Sequence, residues 1–199
     1  MASPALLGPS RATANLRYIP PVSSSPRVIG IAGWSGSGKT TLISRLIPEL
    51  ATVGLRVATL KHAHHSFDLD QPGKDSQIHR QAGAIEVIIS SPRRWAQLHE
   101  IKDGTEVPLE DLLRRVSPVD LILIEGWKAR PLPRLEVWRG IPGAEPLWPK
   151  DPHVVAVASL VEIPGARVPV LPLDDTVAIA KAVLDLAVPL ETVLTRLRG

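Results

Sequence analysis

A glycine-rich stretch between an apolar run and an amphipathic segment carries the residue types that bind phosphate. Residues 33–40 fit the pattern G-x-x-x-x-G-K-[ST] of a phosphate loop. In such a loop the backbone N–H groups form a nest for an anion, the lysine reaches the β- and γ-phosphates, and the next hydroxyl ligates Mg²⁺. The candidate phosphate-binding residues are Gly33, Ser35, Gly36, Ser37, Gly38, Lys39, Thr40 and Thr41.

The segments on either side of this loop supply the structural context that the motif requires. Residues 28–32 are an apolar run, which predicts a buried strand. Large apolar residues then recur at helical spacing over 42–50, which predicts a helix from Lys39 to about residue 53. Pro48 lies inside this helix, and we expect a kink because the carbonyl of Ser44 loses its partner. Strand, loop and helix in this order favour a nucleotide site over a plain glycine-rich turn.

A phosphate-loop protein needs a second acid, at the end of a buried strand, to hold magnesium. The apolar run 119–124 predicts that strand, and an acid stands near each of its ends. Asp120 lies at the amino end, away from the ligand edge of a parallel sheet, whereas Glu125 lies at the carboxyl end. Glu125 is therefore the candidate magnesium and catalytic acid, with a surface carboxylate at a turn as the alternative. Asp68 and Asp70 are further candidates for magnesium or for positioning water.

A long polar loop follows the strand predicted over 56–60. It runs from Lys61 to Ser76, at the carboxyl end of a strand, where open α/β sheets place their ligands. Its lysines and histidines can meet phosphate. We expect this loop to be mobile without ligand and to be ordered by a bound nucleotide, because it is long, polar and interrupted by Pro72 and Gly73.

Two other functions remain open at this point. His62, His64 and His65 form a short cluster that either binds zinc or nickel, as in a metal-insertion GTPase, or bonds phosphate and neighbouring carboxylates. A small-molecule kinase would instead use Asp70 as a base near the acceptor hydroxyl and arginines to clamp an anionic acceptor. The arginines available for that clamp are Arg93, Arg94, Arg130 and Arg134.

Strands alternate with helices along the rest of the chain. Further strands are predicted over 84–90, 135–138, 153–159 and 168–171, and 95–101 is ambiguous between an edge strand and a loop. Helices are predicted after a cap at Asp75 or Ser76, after Pro108, after a cap at Asp174 or Asp175, and after Pro189. This alternation predicts an α/β fold of the P-loop NTPase class, a mostly parallel sheet with helices on both faces.

The composition excludes several classes of protein. With 199 residues and 44% hydrophobic residues, the chain suits one α/β domain, which we place over 27–199 after a flexible leader over 1–26. It has no cysteine, and no apolar run reaches the length of a membrane span. The leader lacks the apolar core of a signal peptide, which favours the cytoplasm. A net charge of +3 does not indicate a dedicated nucleic-acid binder.

The residues alone do not identify the base of the nucleotide. The Asn-Lys-x-Asp motif that reads guanine in many GTPases is absent from the chain. From the residue types, the conclusion is a site for a magnesium-bound nucleoside triphosphate, with guanine and adenine both open.

Several segments together resemble one family. The chain is similar to the molybdopterin-guanine dinucleotide biosynthesis adapter family, commonly called MobB. Many proteins share the phosphate loop, but the His-rich segment followed by Pro-Gly-Lys-Asp-Ser is much more specific. The leader is the main departure from the family pattern. The similar segments are 33–41, 61–65, 70–76, 82–84, 123–128 and 135–137, with 171–175 as a later match.

The resemblance implies GTP and Mg²⁺ as cofactors, weak GTPase activity and a homodimer. It also implies work alongside the guanylyltransferase that joins GMP to molybdopterin, with molybdopterin itself as a further candidate ligand. Carried over residue by residue, the phosphate contacts fall on Gly36, Gly38, Lys39, Thr40 and Thr41. Magnesium falls near Glu125 and Asp70. The residues that would line the site are Lys61, His65, Lys74 and Lys128.

Overall fold

The structure, a computed structural model, describes residues 25–63 and 72–198. They form two compact units, which we call the first unit (residues up to 61 together with 117 onward) and the second unit (62–116). The sequence does not indicate this division. The leader predicted over 1–26 stays a prediction, since residues 1–24 lie outside the described residues.

The helices and strands follow one another largely as the sequence predicts. In chain order they are β1 (Arg27–Ala32), α1 (Lys39–Thr52), β2 (Val57–Lys61), α2 (Asp75–Gln81), β3 (Glu86–Ser90), β4 (Trp95–His99), α3 (Leu109–Arg114), β5 (Leu121–Glu125), β6 (Arg134–Trp138), β7 (Val154–Ser159), β8 (Val170–Pro172), α4 (Thr176–Leu186), β9 (Val188–Pro189) and α5 (Leu190–Arg198).

The first unit is built on a sheet of seven strands. Six of them lie side by side in the order β2-β5-β1-β6-β7-β8, and every neighbouring pair is parallel. The short strand β9 pairs antiparallel with β1. This arrangement confirms the predicted mostly parallel sheet. All six parallel strands therefore end at one edge of the sheet, and the phosphate loop follows β1 at that edge.

One face of the sheet is covered by α1 and α4. Ile29 and Ile31 of β1 pack there with Leu42 and Leu46 of α1 and with Val183 of α4, all of them buried. The apolar spacing that predicted α1 is confirmed, and the helix continues through Pro48 to Thr52. The predicted cap of α4 is confirmed at Asp175, whose carboxylate accepts a hydrogen bond from the Ala178 N–H.

The other face of β1 and β5 is also covered. Val28, Ile122 and Ile124 are fully buried although they lie outside the cluster formed with α1 and α4. The terminal helix α5 contacts β1 and buries Val193 and Leu194. No helix within the described ranges 25–63 and 72–198 has the length and apolar character needed to cross a membrane.

The second unit contains a small sheet of its own. The predicted strand over 84–90 forms, but β3 pairs antiparallel with β4 instead of joining the main sheet. The ambiguous segment 95–101 is thus a strand over Trp95–His99. The predicted cap of α2 is wrong: Lys74 is the N-cap residue, with no side-chain cap, and Asp75 is already helical.

Asp120 lies at the amino end of β5, as predicted. Its carboxylate accepts hydrogen bonds from the Arg56 backbone N–H at 2.8 Å and from the Arg56 guanidinium Nε at 3.0 Å. The pair joins the turn before β2 to the start of β5, at the edge opposite the phosphate loop. Its role is therefore structural.

The Arg56–Asp120 pair predicts a pH-dependent contribution to stability. Hydrogen bonds from the Arg56 side chain, then from its backbone N–H, hold the pKa of Asp120 below its usual value. A carboxylate with a lowered folded pKa stabilises the protein above the unfolded pKa, and this stabilisation is lost as the pH falls through the folded pKa. We expect Asp120→Asn to lower the free energy of unfolding at pH 7 by less than about 1 kcal/mol, because Arg56 is exposed. Urea denaturation should show a smaller difference at about pH 2, and an equal difference at both pH values would contradict this.

Candidate functional site

The loop between β1 and α1 has the backbone conformation of an anion nest. Gly33, Gly36 and Gly38 adopt φ values of 138°, 74° and 93°. At Gly33 the space is also tight, since an added Cβ would lie 2.6 Å from the carbonyl oxygen of Val137. The α-helix begins at Lys39, directly after Gly38. The positive end of α1 thus faces the space enclosed by the loop.

The ammonium group of Lys39 lies across the mouth of this loop. Its Nζ donates hydrogen bonds to the carbonyl oxygens of Gly33 at 3.1 Å and Trp34 at 2.8 Å. Burial lowers the pKa of Lys39, Glu125 raises it, and the like charges of Lys128 and Lys61 lower it further. A partly buried ammonium with Glu125, Lys128 and Lys61 around it is stabilised by a further anion, so the surroundings of Lys39 favour bound phosphate.

Glu125 lies where the sequence places it, beside the loop. In the sheet register Glu125 is paired with Ile31 of β1 on one side and with Lys61 of β2 on the other. Its carboxylate oxygens accept hydrogen bonds from the Thr40 hydroxyl at 3.3 and 3.2 Å. A hydroxyl and a carboxylate in contact at the phosphate loop are oxygen ligands of the kind that Mg²⁺ prefers, so these residues fit a magnesium ion.

Not every loop side chain faces the ligand space. The Ser37 side chain is fully buried, and its hydroxyl has no hydrogen-bond partner within the described ranges. Ser37 can therefore contact phosphate only through its backbone. Ser35, Thr40 and Thr41 are exposed.

Lys128 and the loop residue Trp34 form an aromatic and cationic wall at the phosphate-loop site. The Lys128 ammonium lies 5.8 Å from the centre of the Trp34 ring. The orientation of that ring is held from the other side, because its Nε1 donates a hydrogen bond to the carbonyl oxygen of Glu145 at 2.8 Å. The predicted lining residues Lys61 and Lys128 are both close enough to Lys39 to lower its pKa.

Two buried charges on β6 hold the segments that carry this wall. Arg134 is 2% exposed and donates to the carbonyl oxygens of Lys128, Arg130 and Leu132, and to Asp151 Oδ2 at 3.0 Å. Burial lowers its pKa, and Asp151 opposes that shift.

Glu136 is the second of these charges. Its side chain is fully buried and accepts hydrogen bonds from the backbone N–H groups of Leu147 at 2.7 Å and Trp148 at 3.0 Å. Burial raises its pKa, whereas those two hydrogen bonds lower it. It thereby holds the segment that supplies the Glu145 carbonyl to Trp34.

The structure corrects the kinase interpretation at Arg134. A guanidinium that is buried and bonded to three carbonyls and a carboxylate is not available to clamp an acceptor. Arg93 and Arg94 lie in the turn between β3 and β4, in the second unit. Arg130 is exposed in the first unit.

Several other predicted residues belong to the second unit or lie outside the described residues. Lys74 is exposed and belongs to the second unit. His62 Nε2 lies 2.9 Å from Glu106 Oε1, also in that unit. Within the described residues, no three His, Asp or Glu side chains come together to hold a metal. The predicted residues that lie outside the described ranges are His64, His65, Asp68 and Asp70.

Comparison with known proteins decides the family. The profile of the family described as Molybdopterin guanine dinucleotide synthesis protein B, MobB, matches residues 28–160. The chain belongs to the MobB family. The matched range contains the phosphate loop, Glu125, Lys128 and both buried charges of β6, so these features are part of the MobB region of this chain.

Individual MobB relatives agree over most of the chain. The molybdopterin-guanine dinucleotide biosynthesis adapter protein of Escherichia coli is 40% identical over 161 residues, which are 79% of this chain and 91% of that protein. The protein of the same name from Haemophilus influenzae is 40% identical over 134 residues, 66% of this chain and 74% of that protein. A crystal structure of molybdopterin-guanine biosynthesis protein B covers 80% of this chain and 99% of its own, with a TM-score of 0.60 and 27% identity. The predicted fold class and family are confirmed.

The Arg134 network predicts a large loss of stability on truncation. Arg134→Met leaves Asp151 and three carbonyls without their shared donor, and breaking a buried ion pair in this way costs about 3–5 kcal/mol. We expect the free energy of unfolding in urea to fall by this amount. Arg196→Met, at an exposed arginine of α5, is the matched control and should change it by less than about 0.5 kcal/mol. A loss below about 1 kcal/mol for Arg134→Met would show that the network is not stabilising.

Proposed function

We propose that this protein is a GTP-binding adapter in molybdenum cofactor biosynthesis. It binds GTP with Mg²⁺ at the phosphate loop, hydrolyses it slowly, and assists the guanylyltransferase that joins GMP to molybdopterin to form molybdopterin guanine dinucleotide. The observation that carries the nucleotide site is Lys39, held across the mouth of the loop among Lys61 and Lys128 and one residue before Thr40, which contacts Glu125. The adapter role is supported by the names of the Escherichia coli and Haemophilus influenzae relatives.

The side chains at the site bind different parts of the magnesium nucleotide. Lys39 exchanges the carbonyls of Gly33 and Trp34 for β- and γ-phosphate oxygens. Thr40 and Glu125 hold Mg²⁺, with Asp70 as a further ligand from outside the described residues. When bound, Mg²⁺ neutralises charge on the β- and γ-phosphates. With the Glu125 carboxylate on the metal side, hydrolysis stays slow without a further residue that orients the attacking water.

Binding titrations of GTP and ATP, with and without Mg²⁺, test this function. We expect GTP to bind more tightly than ATP, and Mg²⁺ to strengthen binding of the triphosphate. Lys39→Ala should weaken binding by about 10- to 150-fold, the loss expected for hydrogen bonds to a charged group. Equal affinity for ATP would contradict the guanine assignment, and unchanged affinity of Lys39→Ala with intact circular dichroism would contradict the site.

A substitution at Glu125 distinguishes metal binding from nucleotide binding. We expect Glu125→Gln to lower Mg²⁺-dependent GTP hydrolysis and the Mg²⁺ enhancement of affinity. GTP affinity without Mg²⁺ should not fall, because the loop supplies most ground-state contacts and the substitution removes a negative charge that repels the phosphates. Asp120→Asn makes the same chemical change at the other end of β5 and is the matched control. Hydrolysis by Glu125→Gln at the wild-type rate would show that Glu125 does not serve magnesium.

The proposed function includes a homodimer, and the β3–β4 hairpin is the surface that we assign to it. Ile88 and Trp95 lie on one face of the hairpin and are 62% and 64% exposed, and Ile89 on the other face is 41% exposed. A two-stranded sheet is marginally stable by itself in water, and its edges offer backbone groups for pairing. A second copy of the same hairpin fits because isologous pairing about a twofold axis matches each edge and apolar face with its equal.

Charge substitution on the hairpin tests the dimer. Sedimentation should give about twice the 21.5 kDa chain mass for the wild-type protein. Ile88→Lys should shift it to a monomer at the same concentration, because an isologous contact places the two introduced charges close together. Leu160→Lys, at a residue that is 54% exposed in the first unit, is the control and should remain dimeric. A wild-type monomer, or a dimer of Ile88→Lys, would contradict this surface.

A further inference from the structure

The strand β6 extends past the end of β1 and forms an outer wall of the phosphate loop. In the sheet register Ala32, the last residue of β1, is paired with Glu136, and two residues of β6 follow. The Val137 carbonyl comes so close to Gly33 that a Cβ there would lie 2.6 Å from it. The residue that follows β6, Arg139, is thereby placed beside the second half of the loop.

Arg139 contacts the loop from the side opposite to the anion nest. Its Nε donates a hydrogen bond to the Ser37 carbonyl oxygen at 2.7 Å. The guanidinium also lies against Gly38, where an added Cβ would be 2.9 Å from Nη2 and 3.1 Å from Nε. Position 38 favours a glycine because of its φ of 93°, and the guanidinium lies in the space that a Cβ there would occupy.

We propose that Arg139 is a positioning residue for phosphate binding, acting through the Ser37–Gly38 peptide. The Ser37 carbonyl and the Gly38 N–H belong to one planar unit and point in opposite directions. A cation bonded to the oxygen fixes that plane and polarises it, which makes the Gly38 N–H a stronger donor to an anion in the nest. This role rests on the proposed function, because it requires that the loop bind nucleotide phosphates.

Loss of Arg139 should affect the contacts to one part of the nucleotide. Loop N–H groups cradle the α- and β-phosphates, whereas the γ-phosphate is met by Lys39 and magnesium. Loss of Arg139 should therefore weaken every ligand that has a pyrophosphate unit by the same factor. A contact with the base would spare pyrophosphate, and a contact with the γ-phosphate would spare GDP.

Competition binding of GTP, GDP and inorganic pyrophosphate against a fluorescent GDP measures this pattern. For Arg139→Met we expect roughly 3- to 100-fold weaker binding of all three, the range for one charge removed about 6 Å from a phosphate at effective dielectric constants from about 80 to about 20. Arg139→Lys should recover part of the loss, since an ammonium can bond the same carbonyl. Arg167→Met is the charge-matched control. Arg167 is exposed and precedes β8, at the opposite edge of the sheet, so this variant should bind all three within about twofold of wild type.

A second readout needs no ligand. In a ¹⁵N-resolved NMR spectrum of the free protein, the Gly38 amide signal should shift in Arg139→Met and stay in place in Arg167→Met. Wild-type affinity of Arg139→Met for all three ligands would overturn the proposal, as would a loss confined to GTP or one that spares pyrophosphate. If the wild-type protein binds none of the three, the nucleotide site and this role of Arg139 both fail.

Discussion

The site depends on one unfavourable placement of charge. The Lys39 ammonium is drawn out of water into a loop that already has Lys61 and Lys128 nearby, and burial is the largest cause of its lowered pKa. In the structure it donates hydrogen bonds to the carbonyls of Gly33 and Trp34. These are neutral acceptors, so they satisfy hydrogen bonds without neutralising charge. A polyanion would do both, which is the physical reason that we propose a phosphate ligand at this edge of the sheet.

The positions around Lys39 are set by the strands and by charges buried behind them. Parallel register brings Lys61 and Glu125 level with the end of β1, and no other constraint is needed for those two. Lys128 and Trp34 lie on irregular backbone, so further contacts are needed to fix their positions. Arg134 and Glu136, two residues apart on β6, supply such contacts by bonding the segments that contain Lys128 and Leu147. Irregular segments are thus held in place by buried, hydrogen-bonded charged groups, and losing one partner leaves the others unsatisfied.

Much of this arrangement could be predicted from the sequence, because it follows from local patterns. The loop motif, the helix from Lys39 and the strand before Glu125 each have a periodicity or spacing that identifies them, and parallel topology then brings their ends together. The assignment of Asp120 to the far end of β5 followed from the same reasoning. The Asp175 cap was predictable because capping depends on residues close in sequence.

The remaining features depend on tertiary contacts that no local pattern reports. Arg134 and Glu136 alternate with Leu135 and Val137, a pattern typical of a strand with one face in water, yet all four are buried. Arg139 acts on a carbonyl 102 residues away in the sequence. The pairing of β3 with β4 outside the main sheet was missed for a similar reason, since strand periodicity does not show which partner a strand takes.

The most direct measurement is a crystal structure with Mg²⁺ and a non-hydrolysable GTP analogue. We expect the phosphates inside the loop, Lys39 Nζ moved from the Gly33 and Trp34 carbonyls to β- and γ-phosphate oxygens, and Mg²⁺ bound by Thr40 with Glu125 in its shell. An analogue bound elsewhere, or bound while Lys39 still contacts those two carbonyls, would contradict the proposal that the loop is a nucleotide site.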